Sequence, residues 1–322
     1  MANAFRHLQY HWMWLLEQLF VSLDGTSLFE RRTRLHQKLV KLEQGQSQQN
    51  DFRQVKIIDS KYLSQLDLNR LPKNEPILFR GLAQNARCMS HWSWSFFEKE
   101  YGSVPQPMGL PKEKTFSIID RPLSEILTDL KKESHQLALY SGNLVQKSPQ
   151  LVQDLDEDLW LHFDFLRSKI NVSRQMFLSG KGLHTKFHCE LGNIFSVGIF
   201  GTKRWTIYPP KFSYLFNPKV TRNMFIRSDD FPTRAAIESS QLPVNGWEVL
   251  VGPGDVLYCP SFYWHFVETI ESSLSVAIKW SEFGILLRHP FLATILLTAR
   301  NPSILKRLIP GLKSSEFSPP SV

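Results

Sequence analysis

A histidine and a glutamate two residues apart stand in the run Thr185-Lys186-Phe187-His188-Cys189-Glu190-Leu191-Gly192-Asn193. On an extended segment, residues i and i+2 point to the same face, so His188 and Glu190 can present an imidazole and a carboxylate to one point. His265, far along the chain, can complete a triangle with them. Two histidines and one carboxylate on one face of an iron leave three positions open for substrate and oxygen, the facial arrangement of non-haem Fe(II) oxygenases. An arbitrary His-x-Glu is more often a pair of ordinary polar strand residues, so the surroundings must decide.

Those surroundings are specific. After Asn193 comes Gly201-Thr202-Lys203-Arg204-Trp205-Thr206-Ile207-Tyr208-Pro209-Pro210, and later Gly252-Pro253-Gly254-Asp255-Val256-Leu257-Tyr258-Cys259-Pro260-Ser261-Phe262-Tyr263-Trp264-His265. Asp255 sits in a Gly-Pro-Gly-Asp turn signature, where the carboxylate bonds local backbone, and it is assigned a structural role. Cys189 should face away from His188 and Glu190 by strand alternation, and Cys259 is read as a core thiol. Trp205 and Trp280 are read as core aromatics, whereas Trp264, adjacent to His265, is a candidate wall of a substrate slot. His184 competes with His188 as a first ligand, but that register puts Lys186 where the carboxylate must be.

Taken together, the two stretches resemble the cupin-like, Jumonji-C-type hydroxylases, particularly those similar to the asparaginyl hydroxylase called factor inhibiting HIF. Thr185, His188, Asn193, Gly201, Lys203, Arg204, Pro209 and Pro210 match one motif set of that family in order. Pro253, Gly254, Asp255, Leu257, Tyr258, Pro260, Tyr263 and His265 match the other. The resemblance covers about residues 75–282. It implies a double-stranded β-helix, Fe(II), and 2-oxoglutarate as co-substrate. Residue by residue it implies His188, Glu190 and His265 as catalytic iron ligands and Lys203 on the distal carboxylate of 2-oxoglutarate. Thr185 and Tyr140 fall where the family places hydroxyl donors to that carboxylate, and Asn193 where it places an amide near the co-substrate. A lysine suits the task physically, because a buried dianion needs a charge partner.

The sequence departs from the family pattern at three places. Glu190 replaces the usual Asp, the interval from His188 to Asn193 is one residue shorter, and the position near Ile278, often a second asparagine, is apolar with Lys279 beside it. The implied reaction is hydroxylation of a protein side chain or small molecule, with decarboxylation of 2-oxoglutarate to succinate. These departures motivate the alternative, a cupin-like binding or scaffold protein without turnover. Lysine demethylation is less expected, since the chain shows no chromatin-reading domain.

The elements that must position these residues follow from periodicity and punctuation. Residues 4–43 read as helical, with Leu8, Trp12, Leu15, Leu16 and Leu19 at three- and four-residue steps. A polar linker, residues 44–51, follows. Residues 55–165 mix the strand Pro76–Gly81 with helical stretches Trp92–Tyr101 and Leu123–Lys132. From 173 to 280 strand signals dominate: Gln175–Leu178, Asn193–Phe200, Arg204–Tyr208, Glu248–Val251, Asp255–Cys259 and Ser273–Trp280. The tail over 283–312 returns to helix, and its apolar positions Leu286, Leu287, Phe291 and Ile295 could form a homodimer surface. The expected fold is mainly β with flanking helices, a double-stranded β-helix of cupin or jelly-roll type with helical extensions at both ends. The expected division is an arm and linker over 1–50, an oxygenase domain over 51–282 and C-terminal helices with a frayed tail over 283–322.

Composition bounds the remaining classes. In 322 residues, 42% hydrophobic and 21% charged content suits a folded chain with a sizeable core rather than a disordered one. The 38 basic and 30 acidic residues give +8, spread along the chain. That favours an acidic substrate faintly, and without a nucleic-acid motif it does not point to nucleic acid. The three cysteines, Cys88, Cys189 and Cys259, fit neither a disulfide framework nor a Cys-x-x-Cys metal site. With no secretory signal pattern and no apolar run of membrane-spanning length, a cytoplasmic location is expected.

Overall fold

A computed structural model of the chain describes residues 2–19, 27–44, 52–65, 71–111, 116–131, 138–139, 142–162, 166, 172–219, 226–228, 230–231, 233–240, 242–281, 284, 289 and 292. Helices α1 (Ala2–Leu19) and α2 (Ser27–Gln44) open the chain. Short strands β1 (Phe52–Gln54), β2 (Lys56–Asp59) and β3 (Ile77–Arg80) follow. Next come α3 (Arg87–His91), α4 (Trp94–Tyr101), β4 (Pro105–Pro111), β5 (Phe116–Pro122), α5 (Leu123–Lys131) and β6 (Ala138–Leu139). Helices α6 (Leu144–Lys147) and α7 (Pro149–His162) precede β7 (Ser173–Ser179), β8 (His188–Cys189), β9 (Asn193–Phe200), β10 (Lys203–Tyr208) and β11 (Ile226–Arg227). The last described elements are α8 (Arg234–Ser239), β12 (Gly246–Val251), β13 (Val256–Cys259), β14 (Trp264–Thr269) and β15 (Ser273–Trp280).

The strands form two mixed, open sheets, one ordered β1-β12-β10-β14-β8-β11 and the other β2-β3-β13-β9-β15-β7-β6-β4-β5. Successive strands over 193–280 mostly alternate between the sheets, so their inward faces meet in a jelly roll flanked by helices. Period-two alternation decides which residues go inside. Lys203, Trp205 and Ile207 of β10, Val249 and Val251 of β12, and His265 and Val267 of β14 face inward. From the larger sheet Ile194, Leu257, Cys259 and Ala277 meet them, and these apolar side chains form one buried cluster with Val55 and Leu78. Each fully buried large aliphatic contributes roughly 1.5–3 kcal/mol.

The outer faces are covered too. Phe79, Phe195, Val197, Val276 and Trp280 pack against α3 to α7 through Cys88, Trp92, Phe97, Ile126 and Leu155. On the other sheet Phe187, Tyr208, Trp264 and Phe266 pack with Trp14 of α1. The expected helical arm is two helices packed on each other, with Asp24-Gly25 in the sequence between them. A buried ion pair joins the two helices, Arg32 Nε donating to both Glu17 oxygens at 2.8 Å, and the arm docks where Arg32 Nη1 donates to Asn217 Oδ1 at 2.6 Å. The expected helix over Trp92–Tyr101 starts later because Ser93 is its N-cap, its hydroxyl accepting from Phe96 N–H at 3.0 Å. Tyr140, the C-terminal apolar positions Leu286, Leu287, Phe291 and Ile295, and the frayed tail fall outside the described residues.

Asp255 shows how the turn before β13 is fixed. Its Oδ2 accepts from Gly252 N–H at 3.0 Å and from Arg80 Nη1 at 2.6 Å, and its Oδ1 accepts from Gly81 N–H at 3.0 Å. Gly254 supplies the left-handed step, with φ +81°. Thus β3 and the β12–β13 turn are tied to one buried carboxylate. Asp255→Ala strips these donors of their acceptor and is expected to cost about 2–4 kcal/mol in urea denaturation.

Candidate metal centre

Strand β8 is only two residues long, yet its register creates the site. His188 of β8 lies directly opposite His265 of β14 in an antiparallel pair, and directly opposed side chains share one face with Cβ atoms about 5 Å apart. Their rings sit 4.2 Å apart between centroids. Glu190 follows just past the strand, with its backbone carbonyl accepting from Phe262 N–H at 2.8 Å. Phe262 holds a left-handed φ of +63° and is fully buried, a conformation that costs a non-glycine residue about 1–2 kcal/mol. That strained residue ties the Glu190 backbone to the segment leading into His265.

Ligand atoms of His188, Glu190 and His265 all lie within 4.8 Å of one another. His188 Nδ1 is 2.7 Å from the Lys186 carbonyl, and His265 Nδ1 is 2.9 Å from the Tyr263 carbonyl. A carbonyl only accepts, so each Nδ1 carries the proton and each Nε2 keeps its lone pair for a metal. Burial lowers the pKa of His188 and pushes that of His265 well below the ordinary histidine value, His188 reinforcing the second shift. Both rings are therefore neutral at pH 7, the state a metal requires. Trp205 stacks on His265 with centroids 5.2 Å apart.

Two lysines flank the ring of Phe177, Lys203 Nζ at 6.0 Å and Lys279 Nζ at 5.9 Å from its centroid. Lys279 donates to Glu190 Oε2 at 2.7 Å. Lys203 is buried and donates to the Ser275 hydroxyl at 2.8 Å. It meets no carboxylate among the described residues, and burial alone pulls its pKa down to about 7. Nearby on the inward face of β7, Gln175 Oε1 is buried without a hydrogen-bond partner, as is Trp205 Nε1.

The candidate residues do not all converge. Thr185 is half-buried, and its hydroxyl accepts from Val267 N–H at 3.0 Å, so it braces the approach to β8 against β14. Asn193 lies opposite Trp280 and shares the outward face of β9 with Phe195; its Oδ1 accepts from Ser261 N–H at 3.1 Å. Its carbonyl thus holds the segment before His265 from behind. Trp264, expected as a slot wall, faces outward because it precedes His265 by one residue, and its Nε1 donates to Ser213 Oγ at 2.9 Å. Trp205 is part of the buried inner cluster, as expected of a core aromatic, and it is the tryptophan stacked on His265. Ile278 belongs to the outer cluster, whereas Lys279 faces the centre. Alternation counted from His265 and Ser273 could have found these assignments.

Residues 64–283 match the family described as the cupin-like domain. The chain belongs to that family. Similar proteins include JmjC domain-containing protein 8 of Homo sapiens, 23% identical over 205 residues, 63% of this chain and 74% of that protein. Its Rattus norvegicus counterpart is 30% identical over 206 residues, again 63% of this chain and 73% of that protein. The arginine-specific demethylase JMJ22 of Arabidopsis thaliana is 21% identical over 227 residues, 65% of this chain and 42% of that protein. This cupin-like chain thus shares its fold with JmjC-domain proteins, demethylases among them, and carries a His-Glu-His cluster. No helix among the described residues is long and apolar enough to cross a membrane.

Proposed function

We propose that the protein is an Fe(II)- and 2-oxoglutarate-dependent dioxygenase that hydroxylates a protein side chain or a small molecule. The observation that carries this reading is the pairing of two neutral histidines and Glu190 with a buried lysine that meets no carboxylate among the described residues. The donor set suits Fe(II), since imidazole and carboxylate together favour iron and leave positions open. Bound iron and 2-oxoglutarate would supply the redox chemistry with molecular oxygen as oxidant, one oxygen atom going into the succinate formed with loss of carbon dioxide and the other into substrate.

The protein's own part is to hold and orient. His188, Glu190 and His265 would ligate the metal on one face, their rings aimed by the Lys186 and Tyr263 carbonyls. Lys203 would meet the distal carboxylate of the co-substrate, with Ser275 holding its ammonium in place. Thr185 and Tyr140 are retained as hydroxyl donors to that carboxylate by family resemblance, whereas Asn193, on the outward face of β9, would act only by bracing the segment before His265. The buried apolar cluster that contains Trp205 also contains Ile194, Val249, Val251 and Leu257, and it would keep water from the inward side of the metal centre. Relatives named as demethylases favour a protein side chain as substrate, and the three buried cysteines fit a reducing, cytoplasmic setting.

Anaerobic titration of the purified protein with Fe(II) and 2-oxoglutarate tests the proposal. A metal-to-ligand charge-transfer band is expected in the wild type and absent in His188→Ala and Glu190→Ala. A folded wild-type protein without the band would leave a cupin-like binding or scaffold protein as the better reading.

A further inference from the structure

We infer that Lys279 is a positioning residue for the metal centre, acting through Glu190; the inference rests on the proposed iron site and adds a member to it. Glutamate is one methylene longer than aspartate, so its carboxylate sweeps a wider arc and needs a second anchor to point one oxygen at a metal. Lys279 supplies that anchor. Its Nζ donates to Glu190 Oε2 at 2.7 Å, and both side chains are nearly buried, 14% and 11% exposed. With Oε2 occupied, Oε1 is the oxygen left for the metal, which makes Glu190 a one-oxygen ligand.

The backbone is built to bring the two together. Lys279 is the last inward-facing residue of β15, paired with Ile194 of β9 and Ser173 of β7. The short connection Glu190-Leu191-Gly192 lies against the end of β15, so closely that a Cβ at Gly192 would meet the Trp280 carbonyl oxygen at 3.3 Å and Lys279 Cβ at 3.8 Å. The shortened interval between His188 and Asn193, the longer acidic ligand and the lysine at 279 are therefore one coupled arrangement. Both lysines lie near the ring of Phe177, but their hydrogen bonds differ, Lys279 donating to the ligand carboxylate and Lys203 to the Ser275 hydroxyl.

Mn(II) and Co(II) binding, measured without co-substrate by calorimetry and by the Co(II) absorption spectrum, tests this. Lys279→Met is expected to weaken Mn(II) binding about 10- to 100-fold, the usual range for partners of ligating groups, and to alter the Co(II) bands. Lys279→Arg, which restores a donor to Oε2, should recover most of the affinity. Circular dichroism and thermal denaturation of Lys279→Met, expected to match the wild type, separate action through Glu190 from a general effect on folding. Unchanged or tighter binding in Lys279→Met overturns the inference while leaving the iron site standing. A wild-type protein that binds neither metal overturns both.

Discussion

His265→Ala is expected to abolish ferrous iron binding, the charge-transfer band and any turnover of 2-oxoglutarate, while the protein stays folded. The expectation follows from how little redundancy the centre has. Among the described residues only His188, Glu190 and His265 bring ligand atoms within 4.8 Å of one another, and two ligands from adjacent elements hold a divalent ion far more weakly than three. His184 cannot step in, because it is exposed and bridges to Glu268 at the far end of β14. The stability loss should be smaller, about 1–3 kcal/mol, from the hydrogen bond to the Tyr263 carbonyl and the stack on Trp205. Circular dichroism and metal analysis on the same sample separate the two effects. A His265→Ala protein that still shows the charge-transfer band would mean that the iron sits elsewhere.

The cluster of His188, Glu190 and His265 was legible in the sequence because two of its members are neighbours on one stretch and the third follows a strong turn signature. His-x-Glu puts two side chains of ligand type on one side by alternation alone, and Gly252-Pro253-Gly254-Asp255 anchors the strand that leads to His265. The strands Asn193–Phe200 and Ser273–Trp280 have the expected boundaries, because both are long and bounded by turn residues. The face assignments of Trp205, Trp264, Asn193 and Lys279 were not legible from motif matching, which fixes order along the chain but not the side of the strand. One residue of offset moved suspicion to Trp264, whereas Trp205 touches His265. The β4–β5 hairpin escaped notice because its strands carry Pro105, Pro107 and Pro111, which argue against a strand except at a sheet edge. The hairpin ends the larger sheet with β5 outermost, and among the described residues β6 pairs with β4 only at Met108 and Gly109, so the prolines stand outside that pairing. The break between α1 and α2 escaped because the apolar steps run on either side of Asp24-Gly25.

Lys203→Met is expected to stabilise the protein and to disable it. In the unfolded chain the ammonium titrates near 10.5, whereas burial lowers it to about 7 in the fold. Between those values the unfolded state binds a proton that the folded state does not, so stability rises with pH across this window and is reduced below it. At pH 7.5 the buried lysine costs about 4 kcal/mol, offset in part by its bond to Ser275. Replacing it with methionine should therefore raise Tm by several degrees and flatten the rise of stability between pH 7 and 10. The same change leaves a bound dianion without a cation, a loss of about 2–5 kcal/mol, or more than tenfold in affinity for 2-oxoglutarate. Charge must return to Lys203 when the co-substrate binds, so binding takes up a proton. The apparent Kd for 2-oxoglutarate in the wild type should then weaken by up to about tenfold per unit as pH rises above 7, and level off below it. Calorimetry in buffers of different ionisation enthalpy measures both the affinity and the proton. A Kd that stays flat from pH 7 to 9, with no proton taken up, would assign the anion's charge partner to another residue and leave Lys203 a buried structural cation.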